Sequence, residues 1–211
     1  LGINYMAHSD EAEKYSAAAF ATKHEDAIYF SKRVTRAVPD GDPIEAHTDL
    51  VKKLDYECEL AVVLGKDARD VPAGQTRDYI FGYTILNDVS ARDVQTAHKQ
   101  WYFGKSLDGF TPIGPCIVTA DAFADYPPRL GIRSFVNGEK RQDSNTALQI
   151  FDIDHVIAEL SQGMTLKAGT IIATGTPAGV GMGMDPPQFL KPGDVVRCEI
   201  DGIGTLTNPV K

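Results

Sequence analysis

The sequence predicts an α+β fold built mostly of antiparallel strands, with few helices. Segments rich in β-branched and aromatic residues, such as "CELAVVLG", "YIFGYTILND" and "GPCIVTAD", are typical of strands. Asn-Gly and Asp-Gly pairs between further segments of this kind indicate tight hairpins. The strands do not alternate regularly with helices, which argues against a doubly wound parallel sheet.

The first predicted element is a helix over residues 10–24, "DEAEKYSAAAFATKH", which is rich in Ala, Glu and Lys. Asp10, followed three residues later by Glu13, fits a loose capping box at its start. Neither face of this helix is strongly apolar, so we expect a flap rather than a core helix. The stretch "PDGDP" further along indicates a turn or loop.

Two hairpins are predicted in the second half of the chain. Asn137-Gly138 lies between "IRSFV" and "EKRQ". Asp201-Gly202 lies between "DVVRCEI" and "IGTLTNPV", after a Pro-Gly turn at 192–193. Both pairs suit the left-handed backbone that such turns require.

Two further helices are predicted around residues 90–100 and 152–162. Ser90 is expected to cap the first of these, with Asp93 three residues on. The chain has no internal repeat and no low-complexity linker, so residues 1–211 are interpreted as one domain.

Composition excludes several classes of function. The 211 residues carry a formal net charge of -8 and a pI of about 5.1, without a cluster of Lys or Arg. A nucleic-acid or membrane partner is therefore not expected, and no apolar run reaches the length of a membrane span. Cys58, Cys116 and Cys198 stand among apolar neighbours and are interpreted as buried free thiols in a reducing, cytoplasmic setting. Leu1 leaves two alternatives open: a mature or trimmed chain, or a chain whose N-terminal extension is not shown.

The stretch "KKLDYECELAVVLG" places two carboxylates in a segment that otherwise looks buried. Glu57 and Glu59 point to the same face of a strand, about 7 Å apart along it. Two such charges repel each other, and a shared divalent cation would remove the conflict. The alternative is a solvated face with two unrelated glutamates, and the pair alone favours that alternative.

A third acid supports the cation. Asp88 ends the strand-like "YTILND", where sites are commonly built, and Arg92 and Gln95 follow it three residues apart on one helix face. Three carboxylates are hard oxygen donors that favour Mg²⁺ or Mn²⁺, leave Ca²⁺ open and disfavour zinc.

Five ordered motifs carry a family resemblance: Glu57-x-Glu59, "NDVSARDVQ", "GKSLDGFTPIGP", "IIATGTPAGVG" and "LKPGDVVRCEIDGIGTLTNPV". From about residue 2 to residue 210 the chain resembles the fumarylacetoacetate hydrolase family, most closely its acylpyruvase and oxaloacetate decarboxylase branch. The resemblance implies a mixed β-sandwich roll, a homodimer and one bound Mg²⁺ or Mn²⁺. It implies the metal ligands Glu57, Glu59 and Asp88, and the substrate-contacting residues Arg92, Gln95, Lys105 and Thr176.

The N-terminal stretch "INYMAHSDEAE" resembles the family segment that holds a His–Glu dyad, here His8 and Glu11. A carboxylate beside an imidazole fixes the orientation of the ring and stabilises its protonated form. Residues 1–35 are therefore interpreted as a segment that carries the dyad and a flap of the single catalytic domain.

These groups suit chemistry on a 2-oxo acid through an enolate stabilised by the metal as a Lewis acid. Lys105 and Arg92 would add positive charge near the carboxylate or oxyanion, and His8 would activate water. Hydrolytic C–C cleavage of an acylpyruvate or fumarylpyruvate is the main expectation. Decarboxylation of oxaloacetate, and isomerisation or decarboxylation of 2-hydroxyhepta-2,4-diene-1,7-dioate, use the same enolate and stay open. The alternative of a different class is a non-catalytic module stabilised by Ca²⁺.

Overall fold

Two four-stranded antiparallel sheets pack against each other in the computed structural model, which describes residues 1–211. One sheet has the strand order β5-β3-β2-β8 and the other the order β10-β9-β6-β7, while β1 and β4 form a separate pair. The strands are β1 Leu54–Asp55, β2 Cys58–Leu64, β3 Ile80–Asn87, β4 Ser90–Ala91, β5 Ile113–Thr119, β6 Gly131–Val136, β7 Glu139–Asn145, β8 Ile171–Ala173, β9 Val195–Ile200 and β10 Gly204–Pro209.

Four α-helices accompany the sheets: α1 Met6–Phe20, α2 Arg92–Ala97, α3 Tyr102–Lys105 and α4 Ile153–Leu160. The α+β class, the antiparallel sheets and the small number of helices confirm the predicted fold. None of the helices combines the length and the apolar character that a membrane crossing requires.

Strand β2 separates the core from the acidic residues by simple alternation. Cys58, Leu60, Val62 and Leu64 lie in the main apolar core, as the period of two predicts. Glu59 points to the opposite face and is fully buried there. The sheet therefore has a covered second face, and that face carries the acids.

The predicted hairpins are present. Asn137 and Gly138 join β6 to β7 with φ values of 52° and 84°, the left-handed region that Asn and Gly enter at least cost. Asp201 and Gly202 lie between β9 and β10, and Gly202 has a φ of 76°. The helix predicted over 152–162 is α4, whose N-cap Asp152 accepts a hydrogen bond from His155 N.

The first helix begins earlier than the sequence predicts. It runs from Met6 to Phe20, its N-cap is Tyr5, and Asp10 lies inside it, so the predicted capping box is wrong. The backbone leaves the helical region at Ser16, where φ is -160° and ψ is 92°. The helix begins early because His8 and other residues of its first turns are buried against the rest of the fold.

Two smaller predictions also fail. Ser90 does not cap α2, because Ser90 pairs with Asp55 as part of the β4 ladder and its hydroxyl donates to Asp88 O. Cys116 is exposed on β5, which is an edge strand, whereas the other two cysteines are buried free thiols as predicted.

Candidate active site

Three buried carboxylates meet where β2 begins and β3 ends. The antiparallel register places Cys58 opposite Asn87, and Asp88 N donates to Glu57 O at 2.8 Å. Asp88 therefore lies beside Glu57, and Glu59 follows on the same face of β2. One side-chain oxygen of each acid lies within 4.8 Å of one from each of the other two. The structure brings together the three predicted metal ligands.

Two of these acids have cationic partners. Lys105 Nζ lies 2.7 Å from Glu57 Oε2 and 2.8 Å from Asp88 Oδ2. Arg92 Nη1 lies 2.6 Å from Glu57 Oε1, and Lys32 Nζ lies 2.7 Å from Asp88 Oδ1. Burial opposes ionisation of both carboxyls. These cations outweigh it and hold the pKa of each below its usual range.

Glu59 has no such partner. Its Oε2 accepts a hydrogen bond from Gly175 N at 2.7 Å, while its Oε1 is buried and has no hydrogen-bond partner. Burial, together with the charges of Asp88 and Glu57, raises the pKa of the Glu59 carboxyl to about 8. A buried carboxylate oxygen without a donor or cation is costly, so this is where the site lacks positive charge.

The residues fit a divalent cation at this place. Three carboxylates supply hard oxygen donors, and the orphaned Oε1 of Glu59 belongs to the same cluster as the other two side chains. Glu57, Glu59 and Asp88 would hold Mg²⁺ or Mn²⁺, which keep room for water or for substrate oxygens when protein ligands are few.

Lys105 lies at the end of helix α3 and reaches Glu57 and Asp88 because α3 packs tightly on α2. A Cβ on Gly104 would lie 2.5 Å from Gln95 N, so only glycine allows the two helices to approach so closely. Lys105 is buried beside two acids. Although burial opposes its charge, Asp88 and Glu57 hold the pKa of its ammonium above the usual range.

Arg92 is fixed at two of its three nitrogens. Its Nε donates to Asp55 Oδ2 at 2.9 Å, and its Nη1 donates to Gln95 Oε1 at 3.1 Å in addition to its contact with Glu57. Its Nη2 is buried and has no partner. A guanidinium held in this way offers one free donor nitrogen to an anionic ligand.

The predicted dyad is formed on α1. His8 Nδ1 lies 2.8 Å from Glu11 Oε1, so the ring donates its Nδ1 hydrogen to the carboxylate and its Nε2 is left free. Glu11 Oε2 also accepts a hydrogen bond from Gly179 N at 3.0 Å. A Cβ on Gly183 would lie 2.2 Å from the same oxygen. The glycine-rich segment 179–183 therefore closes around Glu11 and fixes the dyad.

One small cavity lies between His8, Glu57, Arg92 and Lys105. Five apolar or aromatic side chains form part of its wall, and Trp101 packs on Phe20 and Phe30 with ring centroids 5.6 and 5.5 Å away. The cavity is lined by Leu1, Gly2, Ile3, His8, Phe20, Phe30, Glu57, Arg92, Gln95, Trp101, Lys105 and Thr176.

Comparison with known proteins agrees with this geometry. The family model described as "Fumarylacetoacetate (FAA) hydrolase C-terminal" matches residues 1–211. The chain belongs to the fumarylacetoacetate hydrolase family. Oxaloacetate tautomerase YisK of Bacillus subtilis is 44% identical over 210 residues, which cover 100% of this chain and 68% of that protein. A relative from Staphylococcus saprophyticus, for which no activity is named, is 44% identical over 99% of this chain and 66% of its own length.

Solved structures of the family show the same fold. Fumarylacetoacetate hydrolase of Exiguobacterium antarcticum matches with a TM-score of 0.88 and 47% identity, over 100% of this chain and 73% of that one. The 2-hydroxyhepta-2,4-diene-1,7-dioate isomerase of Mycobacterium marinum matches with a TM-score of 0.81 and 40% identity, over 99% and 71%. Fumarylpyruvate hydrolase of Pseudomonas aeruginosa, in complex with Mn²⁺ and pyruvate, matches with a TM-score of 0.84 and 28% identity, over 99% and 86%. Hydrolases, isomerases and a tautomerase thus share this fold.

Thr176 lies in the cavity wall with its hydroxyl already engaged. Its Oγ1 donates to Cys58 O at 2.9 Å and accepts from Gln142 Nε2 at 2.7 Å. The hydroxyl therefore has its hydrogen committed to the backbone of β2. A substrate would meet it as an acceptor or through its methyl group.

Two charged residues of the site were missed by the sequence interpretation. Asp55 is spaced by two from Glu57 and by four from Glu59, so the same alternation could have placed it on their face. Lys32 comes from the segment after α1, and no local pattern indicates that it contacts Asp88.

Proposed function

We propose that this protein is a divalent-metal-dependent enzyme that acts on 2-oxo acids through an enolate, with keto–enol tautomerisation of oxaloacetate as its reaction. One observation carries the proposal. The buried Glu59, whose Oε1 has no partner, clusters with Glu57. Glu57 in turn lines one cavity together with Arg92, which has a free nitrogen, and with the oriented His8. The name of the Bacillus subtilis relative, which aligns with the whole chain, supports oxaloacetate as the substrate.

The chain itself binds and orients the substrate. A divalent cation on Glu57, Glu59 and Asp88 supplies Lewis acidity toward the 2-oxo group when it is bound. Arg92 Nη2 is free to bind the substrate carboxylate. Lys105 lies in the same wall and adds positive charge where an enolate oxygen develops.

His8 moves the proton. Because its Nδ1 hydrogen is donated to Glu11, the neutral ring presents Nε2 as an acceptor. Nε2 can take a proton from C3 of oxaloacetate and then give that proton to the enolate oxygen, which yields the enol and restores the neutral ring. The reverse sequence returns the ketone, so no water needs to attack.

Hydrolytic C–C cleavage of an acylpyruvate or fumarylpyruvate, the expectation from the sequence, is the second candidate. It uses the same binding groups, with His8 taking a proton from water rather than from carbon. The Pseudomonas aeruginosa neighbour, a fumarylpyruvate hydrolase, supports it at lower identity than the tautomerase. Decarboxylation and isomerisation remain alternatives that need the same enolate. The non-catalytic Ca²⁺ module is disfavoured, because the relatives with a named activity are enzymes.

The test is a side-by-side assay on one metal-stripped preparation. Mg²⁺, Mn²⁺ or Ca²⁺ is restored, and each sample is given enol-rich oxaloacetate, an acylpyruvate, fumarylpyruvate and the hydroxy-diene diacid. Loss of the enol absorbance without pyruvate or CO₂ release identifies a tautomerase, and metal-dependent pyruvate release from an acylpyruvate identifies a hydrolase. Absence of metal-dependent turnover on every 2-oxo acid would refute the proposal.

The homodimer and the cytoplasmic location stay predictions. Tyr102 and Phe103 on α3 are 43% and 44% exposed and are available to a partner surface. Sedimentation of the purified protein with bound metal tests the dimer, which predicts twice the mass of 22.9 kDa.

A further inference from the structure

Asp55 is a buried acid with more hydrogen-bond donors around it than any metal ligand of the site. It is fully buried at the end of β1. Its Oδ1 accepts from Gly181 N at 2.7 Å and from Tyr56 N at 2.9 Å. Its Oδ2 accepts from Arg92 Nε at 2.9 Å and from Met182 N at 3.0 Å. Both oxygens are thereby saturated, and Asp55 has no free lone pair directed to a metal or substrate.

These contacts decide which nitrogen of Arg92 is free. Nε contacts Asp55, and Nη1 contacts Glu57 and Gln95. Nη2 is the one guanidinium nitrogen without a partner. The guanidinium is planar, and fixing two of its nitrogens fixes the direction of the third. Arg92 is 1% exposed and lines the cavity, so this free nitrogen is not solvated by bulk water.

We propose that Asp55 is a positioning residue, which aims Arg92 Nη2 at the carboxylate of the 2-oxo acid and anchors that arginine to the glycine-rich segment 179–183. The inference rests on the proposed function, since it concerns the same cavity. The segment bonds Asp55 through Gly181 and Met182, and bonds Glu11 through Gly179. One short loop therefore sets the distance between the substrate anchor and the dyad.

Asparagine cannot replace Asp55 at this position. Each carboxylate oxygen faces two N–H donors, so an amide nitrogen on either side would point its own hydrogens at donors. Glutamate keeps the charge but is one methylene longer, which displaces Arg92 in a packed environment. Both variants are expected to weaken substrate binding through Arg92, while the His8–Glu11 pair keeps its own hydrogen bond and the one from Gly179 N.

The experiment compares Asp55→Asn and Asp55→Glu with Asp154→Asn as a matched control. Asp154 also binds a backbone N–H and a side chain, those of Gly74 and Thr76, and neither lines the cavity. With metal saturating and oxaloacetate as substrate, both Asp55 variants should raise KM about 10- to 100-fold, because misplacing a binding group by about 1 Å costs about this much. The kcat should change less, the pH dependence of kcat should keep its shape, and the control should behave as the native protein.

A double-mutant cycle with Arg92→Lys tests whether Asp55 acts through Arg92. Lysine keeps the charge but lacks the planar set of N–H donors that Asp55 orients in the guanidinium. The effect of Asp55→Asn on KM should therefore be lost in the Arg92→Lys background. Equal effects in both backgrounds would overturn the inference. If Asp55→Asn does not fold, the same cycle is run with Asp55→Glu.

A measurement that does not depend on turnover separates this inference from the proposed function. The Arg92 Nε–H signal in nitrogen NMR, assigned by its loss in Arg92→Lys, should exchange slowly in the native protein and in Asp154→Asn, and fast in the Asp55 variants. Unchanged slow exchange in both Asp55 variants would overturn the positioning role. A native protein without turnover on any 2-oxo acid would instead refute the function, with the exchange result still deciding the role of Asp55.

Discussion

Replacing Glu59 with glutamine is expected to change stability in opposite directions with and without metal. In the metal-free protein, Glu59 is a buried carboxyl whose pKa is raised from 4.5 to about 8, mainly by burial and by Asp88. Because the folded-state pKa lies above the unfolded one, folding favours the protonated form. Stability is therefore full below about pH 4.5 and is lost as the pH rises toward 8.

The size of this effect follows from the linkage relation. At pH 7 a carboxyl with these two pKa values costs the folded state about 3 kcal/mol, since each pKa unit between 4.5 and the working pH contributes about 1.4 kcal/mol. The glutamine side chain of the variant carries no charge and can keep the hydrogen bond from Gly175 N through its own oxygen. We therefore expect metal-free Glu59→Gln to be more stable at pH 7 by up to about 3 kcal/mol, with a flatter pH dependence.

Metal reverses the order. A cation at about 1,000 times its Kd stabilises the native protein by about 4 kcal/mol, which exceeds the cost of about 3 kcal/mol, and Glu59→Gln, with one ligand charge removed, should gain little of this. The assay is denaturant unfolding between about pH 5 and pH 8, with chelator or with Mg²⁺. Glu57→Gln is the matched control, because Lys105 and Arg92 hold the pKa of Glu57 low. Its loss leaves Lys105 and Arg92 with one acid partner each, Asp88 and Asp55, and the metal-free protein should be destabilised by up to about 3 to 5 kcal/mol.

The reasoning would be refuted by either of two results. One is a Glu59→Gln protein that is less stable than the native protein in chelator at about pH 7 to 8. In that range the raised pKa of Glu59 lowers the free energy of unfolding of the native protein. The other is an undiminished Mg²⁺ shift in that variant, which would show that Glu59 does not bind the cation.

Three further outcomes are expected. His8→Ala should lower tautomerisation and hydrolysis by about two to four powers of ten but impair decarboxylation less, with Mg²⁺ affinity by calorimetry unchanged; equal losses in all three assays would contradict its role as proton carrier. Lys105→Met should destabilise the metal-free protein by up to about 3 to 5 kcal/mol in urea unfolding, because Glu57 and Asp88 each lose one of two cationic partners; a stability equal to the native protein would count against these ion pairs. Gly183→Ala should reduce kcat as strongly as Glu11→Gln, since the new Cβ would occupy the position of the carboxylate, whereas an unchanged pH profile of kcat would show that the dyad tolerates it.

The strands and their acids could be predicted because they depend on local periodicity. Alternation along β2 sends Glu57 and Glu59 to one face whatever packs on either side. The hairpin at Asn137 and Gly138 follows from backbone preferences of two residues. Such features are determined by the local sequence and do not depend on which distant segments pack against it.

The two failed helix-cap predictions and the missed contact of Lys32 all concern contacts between distant segments. Ser90 looked like a helix cap, but its backbone pairs with Asp55, which lies 35 positions earlier. Asp10 looked like an N-cap, yet burial of residues such as His8 extends the helix beyond it. Lys32 reaches Asp88 from a segment 56 positions away, and its sequence context offers no sign of the contact. Local chemistry predicted which groups meet in the site and did not predict Asp55 and Lys32, which pair with them.

The charges of the site connect metal binding to substrate binding. Four buried acids, Asp55, Glu57, Glu59 and Asp88, face three cations, and in the metal-free protein at pH 7 Glu59 keeps its proton because its pKa is raised to about 8. When a divalent cation replaces that proton, the four carboxylates, the three cations and the metal sum to one positive charge in excess, at a buried site. One carboxylate of a 2-oxo acid then restores neutrality. Charge in a buried site is costly when it is unmatched, so the cation should raise the affinity for the substrate anion, and by reciprocity the substrate should raise the affinity for the cation.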